Sequence, residues 1–122
     1  MAIIKHTNPC GVALGNDLTD AYEKAFATDT VSAFGGIIVV NKKIDKKTAE
    51  TIHSIFTEVI IAPEYTQNAL DILMKKKDRR LITVDYRILK QSINYDIKSV
   101  SGGFLLQKND NFLIDEDRKS VV

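Results

Sequence analysis

One cysteine, two prolines and no tryptophan occur in 122 residues. Cys10 alone cannot close an internal disulfide, which fits a reducing compartment, and with only two histidines beside it the chain has too few soft ligands for a structural zinc site. No metal is expected. No apolar run approaches the roughly 18 residues that cross a bilayer, and the N-terminus has no basic segment followed by an apolar signal core. A cytoplasmic protein without a membrane partner is expected. The net charge of +1 excludes the basic surplus of a general nucleic-acid binder and leaves small, neutral or modestly charged ligands. Internal repeats and low-complexity linkers are absent.

What is present is ordinary globular material, 44% hydrophobic and 27% charged, at the length of one domain able to bury roughly two-thirds of its unfolded surface. Ile3-Ile4 opens as a strand, and Asn8-Pro9-Cys10-Gly11 reads as a break straight after it. Leu18, Ala21, Tyr22, Ala25 and Phe26 recur at helical spacing behind a cap at Asn16 or Asp17. After the Thr28-Asp29-Thr30 break and the Ser32-Ala33-Phe34-Gly35-Gly36 turn, Ile37 to Val40 is a strand. Ala49, Ile52 and Phe56 mark a second helix capped by Asp45. Glu58 to Ala62 is a third strand, closed by Pro63. Ala69, Leu70, Leu73 and Met74 give a third helix starting near Thr66, and Leu81 to Val84 a fourth strand. Beyond Asp85 the pattern weakens, with one strand expected from Val100 to Gln107, a turn at 108–111, and Phe112-Leu113-Ile114 after it. Strands alternating with helices predict right-handed βαβ crossovers, a mostly parallel sheet and a three-layer α/β/α arrangement, one subdomain over 1–122. The abrupt ends suggest a piece cut from a longer chain, with Met1-Ala2 left by cloning.

Lys5 and His6 are the first chemical candidates. A neutral imidazole can take the proton of a weakly nucleophilic amine, and a neighbouring ammonium can steady the oxyanion formed when that amine attacks a carbonyl. Successive strand residues face opposite ways, so both reach one ligand only where the pleat breaks, and Thr7-Asn8-Pro9 offers a break. They would then lie at the carboxyl end of a strand, where ligands bind in open α/β sheets. The plain alternative is a solvated Lys beside a hydrogen-bonding His.

The Phe34-Gly35-Gly36 turn lets backbone approach a ligand and offers a ring for stacking, or is only a tight turn; it precedes a strand, so it is not a phosphate-gripping loop. Cys10, at an expected helix start near His6, could serve a cysteine hydrolase or be a small packed thiol. The zinc-deaminase pattern lacks its second cysteine and its His-x-Glu. Glu58 heads a buried strand, where a carboxylate needs a partner or a ligand, unless the strand lies at an exposed edge. Lys75-Lys76-Lys77 with Arg79-Arg80 reads as a solvated helix end rather than a phosphate site, and His53 as a surface residue.

Lys5-His6-Thr7-Asn8-Pro9-Cys10-Gly11-Val12-Ala13, Ser32-Ala33-Phe34-Gly35-Gly36-Ile37-Ile38, Glu58-Val59-Ile60-Ile61-Ala62-Pro63 and Ala69-Leu70-Asp71-Ile72-Leu73 together resemble the bacterial bifunctional purine biosynthesis family, which joins an AICAR transformylase to an IMP cyclohydrolase. The likeness runs in order from residue 3 to about 106. It implies formyl transfer from 10-formyltetrahydrofolate, as co-substrate, to the amine of AICAR. It further implies His6 as proton acceptor, Lys5 as oxyanion stabiliser, and Phe34, Gly35 and Glu58 as nucleotide contacts. A cytidine-deaminase-like fold without zinc and a homodimer of the parent enzyme are also implied. The family's asparagine-bearing segment, phosphate arginines and cyclohydrolase domain have no counterpart in these residues, so the resemblance implies little or no activity for the piece alone. A non-catalytic nucleotide-binding module of the same fold is the alternative.

Overall fold

The computed structural model describes residues 1–88 and 95–109. Its larger compact unit, Met1–Tyr86, runs β1 (Ala2–Lys5), β2 (Asn8–Val12), α1 (Leu18–Thr28), β3 (Gly36–Val39), α2 (Lys46–His53), β4 (Thr57–Ala62), α3 (Gln67–Leu73) and β5 (Arg80–Thr83). Each helix begins on a side chain that accepts an orphan backbone N–H: Asp17 from Asp20 at 2.8 Å, Asp45 from Thr48 at 2.9 Å, Thr66 from Ala69 at 3.3 Å. Phe56 lies past the end of α2, in the approach to β4.

The five strands make one mixed sheet in the order β2-β1-β3-β4-β5. β3, β4 and β5 pair in parallel, whereas β1 is antiparallel to both its neighbours. Four strands therefore point one way and β1 the other. The reversal comes from the segment expected to break the chain: Asn8–Val12 is itself a strand, folded back on β1 through the two residues His6-Thr7, and so short a connection allows only an antiparallel pair. β2 forms the sheet edge, where a proline costs no ladder hydrogen bond. Gly11 is buried against α1; a Cβ there would stand 2.0 Å from the Ala25 carbonyl oxygen.

One face of the sheet carries the core. Ile3, Ile38, Val40, Ile60 and Ala62 alternate along the strands and join Leu18, Tyr22, Ala25, Ala49, Ile52, Ala69 and Leu73 from all three helices in one buried cluster. Each fully buried isoleucine contributes about 1.5–3 kcal/mol. The opposite-facing Ile4, Ile37, Val39, Val59 and Ile61 are only half-buried. The described residues of this unit thus form two layers, not the expected three. Every βαβ crossover steps the same way across the sheet, and right-handed crossovers taken in one direction set their helices on one face.

A second compact unit begins at Arg87. Its described part is an antiparallel hairpin of β6 (Tyr95–Val100) and β7 (Gly103–Lys108), turning at Gly102 with φ +84°. The two glycines expected inside a single strand are the turn and the start of its second arm. The expected Phe112-Leu113-Ile114 segment, with residues 110–111 of the turn before it, lies outside the described residues.

Candidate active site

Lys5 ends β1 on the face that Ile3 gives to the core, and the pleat stops there. His6 and Thr7 follow at φ 50° and 67°, the left-handed pair that a two-residue type I′ hairpin demands. Neither is glycine, and a β-branched residue at positive φ is strained. The turn is held by Thr7 Oγ1 and Asn8 Nδ2, which donate to the His6 carbonyl at 2.6 and 3.3 Å. His6 therefore stands exposed at the hairpin tip, out of the strand's alternation. Between Ile3 and Ile4 the register shifts: Ile3 opposes Gly11 and Ile4 opposes Pro9, which leaves Cys10 as the extra residue of a bulge. Its thiol donates to the Ile3 carbonyl at 3.5 Å. Cys10 is thus in a strand and not at a helix start.

The second component is the loop from α1 to β3. The Asp29 carboxylate accepts from the backbone N–H groups of Val31 and Ser32 at 3.1 and 2.9 Å, and these bonds, with the Ser32 side chain leading, pull its pKa below the ordinary value. So fixed, the loop delivers Phe34 and Gly35 to the end of β1. Lys5 Nζ donates to the Phe34 carbonyl at 2.5 Å. Gly35 adopts φ +67°, and a Cβ placed on it would stand 3.2 Å from Lys5 Nζ, 3.7 Å from Glu58 Oε1 and 3.7 Å from Phe56 Cδ1. Its N–H donates to the Phe56 carbonyl at 2.9 Å, and the Phe34 and Phe56 rings meet at 5.4 Å and 43°.

Lys5, Phe34, Gly35 and Glu58 thus converge around one glycine. His6 is adjacent in the chain, and among the described residues its side chain is not hydrogen-bonded to these four. The cluster lies where β1 ends but β3 and β4 begin, so it sits at the amino ends of the parallel strands rather than the carboxyl ends expected. The reversed β1 is the reason. Beside it, Phe56, Glu58, Lys77, Asp78 and Arg80 line an open groove of about 430 Å³. Among the described residues no three His, Cys, Asp or Glu side chains gather as metal ligands, and no helix is long and apolar enough to cross a membrane.

Two neighbours were not legible in the sequence as parts of this region. Phe56 carries the helical spacing of α2 but serves the Gly35 turn. Arg79, expected in solvent, is 7% exposed: Nε donates to Thr57 O at 3.1 Å, Nη2 to Ile55 O at 3.3 Å, and Nη1 to Leu73 O at 3.3 Å and to His53 Nδ1 at 3.1 Å. Arginine only donates, so Nδ1 must be the bare nitrogen of a neutral imidazole. Burial, then the charges of Arg79, Lys76 and Lys75, hold the His53 pKa below its ordinary value. His53 is accordingly half-buried and engaged rather than free on the surface.

The family profile described as AICARFT/IMPCHase bienzyme matches residues 1–122. The bifunctional purine biosynthesis protein PurH of Chlorobium phaeobacteroides is 49% identical over 122 residues, covering 100% of this chain and 23% of its own. That of Caldicellulosiruptor saccharolyticus is 47% identical over 122 residues, 98% of this chain and 23% of the relative. That of Bacillus mycoides is 48% identical over 118 residues, with 97% and 23% covered. The chain thus spans 23% of the length of these curated relatives.

Proposed function

This chain belongs to the AICARFT/IMPCHase bienzyme family, a family of purine biosynthesis enzymes, and from that premise we propose that it carries part of the formyltransferase site. The reaction moves a formyl group from 10-formyltetrahydrofolate to the 5-amino group of AICAR (phosphoribosylaminoimidazolecarboxamide). That amine is a poor nucleophile because its lone pair is delocalised into the ring. It attacks the formyl carbon, a new C–N bond forms, and the bond from that carbon to the folate N10 breaks. His6 takes the proton the amine sheds and returns it to N10, which leaves as the N–H of tetrahydrofolate, and Lys5 steadies the oxyanion that builds up on the formyl oxygen. Phe34 gives a ring face to the base, Gly35 admits it against the backbone, and Glu58 accepts from its amide or sugar hydroxyls.

The observation that carries this reading is the Lys5 ammonium, fixed on the Phe34 carbonyl beside a glycine whose missing Cβ leaves open the space between Lys5 and Glu58. A lysine so anchored keeps two further N–H donors for a ligand. The exposed position of His6 favours a second reading, a nucleotide-binding module without turnover. The parent enzyme would be a cytoplasmic homodimer whose site is completed by residues beyond these, and the 122 residues alone are expected to show little or no turnover.

The two readings part on one pair of measurements. AICAR titrated into the isotope-labelled chain should shift the amide resonances of Phe34, Gly35 and Glu58; a flat response at all three rejects both. His6→Ala, placed in an uninterrupted family enzyme carrying this segment, should abolish formyl transfer and spare AICAR binding. Transfer that survives the change rejects the catalytic assignment.

A further inference from the structure

The Gly35 turn rests on the Phe56 carbonyl, and Phe56 lies in a stretch, Ile55 to Glu58, that has left α2 and only begins to pair in β4. Such connecting backbone needs its carbonyls satisfied from elsewhere. Arg79 does this at both residues flanking Phe56, donating to Ile55 O and Thr57 O, while a third bond ties it to Leu73 O at the end of α3. A buried guanidinium with several acceptors in fixed directions is a rigid clamp, because its fork is planar and each bond is charge-assisted.

Resting on the formyltransferase reading, we infer that Arg79 is a positioning residue for the Lys5–Gly35–Glu58 cluster, clamping the Ile55 to Glu58 segment with neutral His53 as its fourth acceptor. Arg79 itself touches no substrate. It acts through Phe56, whose carbonyl holds Gly35, and through Thr57, whose successor is Glu58. His53 supplies the condition. Protonated at Nδ1, it would lose its bond to Nη1 and set a second cation against the guanidinium. The charged and titratable groups around the pair are Lys75 and Lys76 beyond α3 and, against Arg79, Tyr22 of α1; both lysines oppose a charged His53 and neither can replace its lone pair. Acid should therefore loosen the clamp, and with it the turn that presents Gly35.

The test uses this chain and three variants, followed by amide and imidazole resonances. Arg79→Met keeps much of the buried bulk and removes every donor; it should speed solvent exchange of the Gly35 amide about tenfold and shift Glu58, with core resonances of β3 unmoved. Arg79→Lys, which can reach only part of the acceptor set, should fall between. In the wild type, resonances of Gly35 and Glu58 should move with the titration of His53; in His53→Gln, whose amide oxygen accepts without titrating, that movement should vanish. A folded Arg79→Met with unchanged Gly35 exchange overturns the proposal, as does a His53→Gln chain whose Gly35 keeps the wild-type pH response. Should Arg79→Met unfold, the His53→Gln comparison decides. AICAR affinity, measured alongside, should fall about tenfold in Arg79→Met. If the wild type does not bind AICAR but Gly35 exchange responds as stated, the functional reading fails and the clamp stands.

Discussion

Gly35 presents to Lys5 the space of a missing methyl group: a Cβ there would stand 3.2 Å from the lysine Nζ, at a backbone φ of +67°. Two penalties of different kind meet at this position. Left-handed backbone costs a non-glycine residue about 1–2 kcal/mol, which falls on stability. The steric clash is with the end of a flexible side chain, cheap to relieve by moving the ammonium, so that part falls on function. Gly35→Ala is expected to lower the melting temperature by several degrees and AICAR affinity by about tenfold. Calorimetry and an AICAR titration on the same variant check the division; unchanged affinity with lowered stability would remove Gly35 from the site.

The His6-Thr7 turn invites the opposite trade. Thr7 holds φ 67° although its branched Cβ opposes it, and its hydroxyl braces the His6 carbonyl at 2.6 Å. Thr7→Gly relieves strain of about 1–2 kcal/mol and gives back about 0.5–1 kcal/mol in chain entropy, while the hydroxyl bond it loses is solvent-exposed and worth little, so a net gain of roughly 0–1.5 kcal/mol is expected. The melting temperature should rise. Loosening the residue beside His6 should slow formyl transfer in an uninterrupted enzyme, the usual cost of relaxing a strained functional turn. A fall in melting temperature would show that the turn is not strained.

Helices and parallel strands were legible because their signals are local. Asp17, Asp45 and Thr66 lie just ahead of apolar positions at helical spacing, and each caps the helix expected of it. The β1–β2 hairpin was not legible, since Asn8-Pro9-Cys10-Gly11 carries breaker residues, and only tertiary contact makes them an edge strand with a bulge. The mostly parallel sheet that was expected is found, but without that hairpin the reversal of β1 could not be read, nor the place of the candidate cluster at the amino ends of β3 and β4. Of the candidate site, the residues that gather around Gly35, Lys5 among them, were those that motif and resemblance had singled out. Phe56 and Arg79 did not, because a helical period disguised the first and a run of cations the second.

Acid should destabilise this fold in two separate steps. The folded-state pKa of His53 lies below its ordinary 6.5, so the unfolded chain binds its proton more readily. Stability from this residue is full above about 6.5 and is lost as pH falls from there through the lowered folded value. The caps act further down: Asp17 and Asp45 are held below 3.8, the first mainly by the Asp20 N–H and the second by the Thr48 side chain and N–H, so their contribution persists above 3.8 and fades only below it. Unfolding midpoints against pH should show both declines, and His53→Gln should erase the upper one alone. A wild-type curve flat between pH 7 and 5 would contradict a His53 held neutral against Arg79.

Cys10 separates transfer chemistry from thiol chemistry. As the bulged residue of β2 it directs its thiol at the Ile3 carbonyl and packs against the core cluster, well before α1 begins. Its sulfur fills space and makes one weak hydrogen bond. Cys10→Ala should cost about 1 kcal/mol through lost packing of a half-buried atom, seen as a small drop in denaturation midpoint. Formyl transfer in an uninterrupted enzyme should stay within about twofold of the parent, because neither of the groups proposed for the chemistry, His6 and Lys5, depends on the sulfur. Loss of transfer together with a normal denaturation midpoint would make the thiol a participant and displace His6 and Lys5 from the centre of the mechanism.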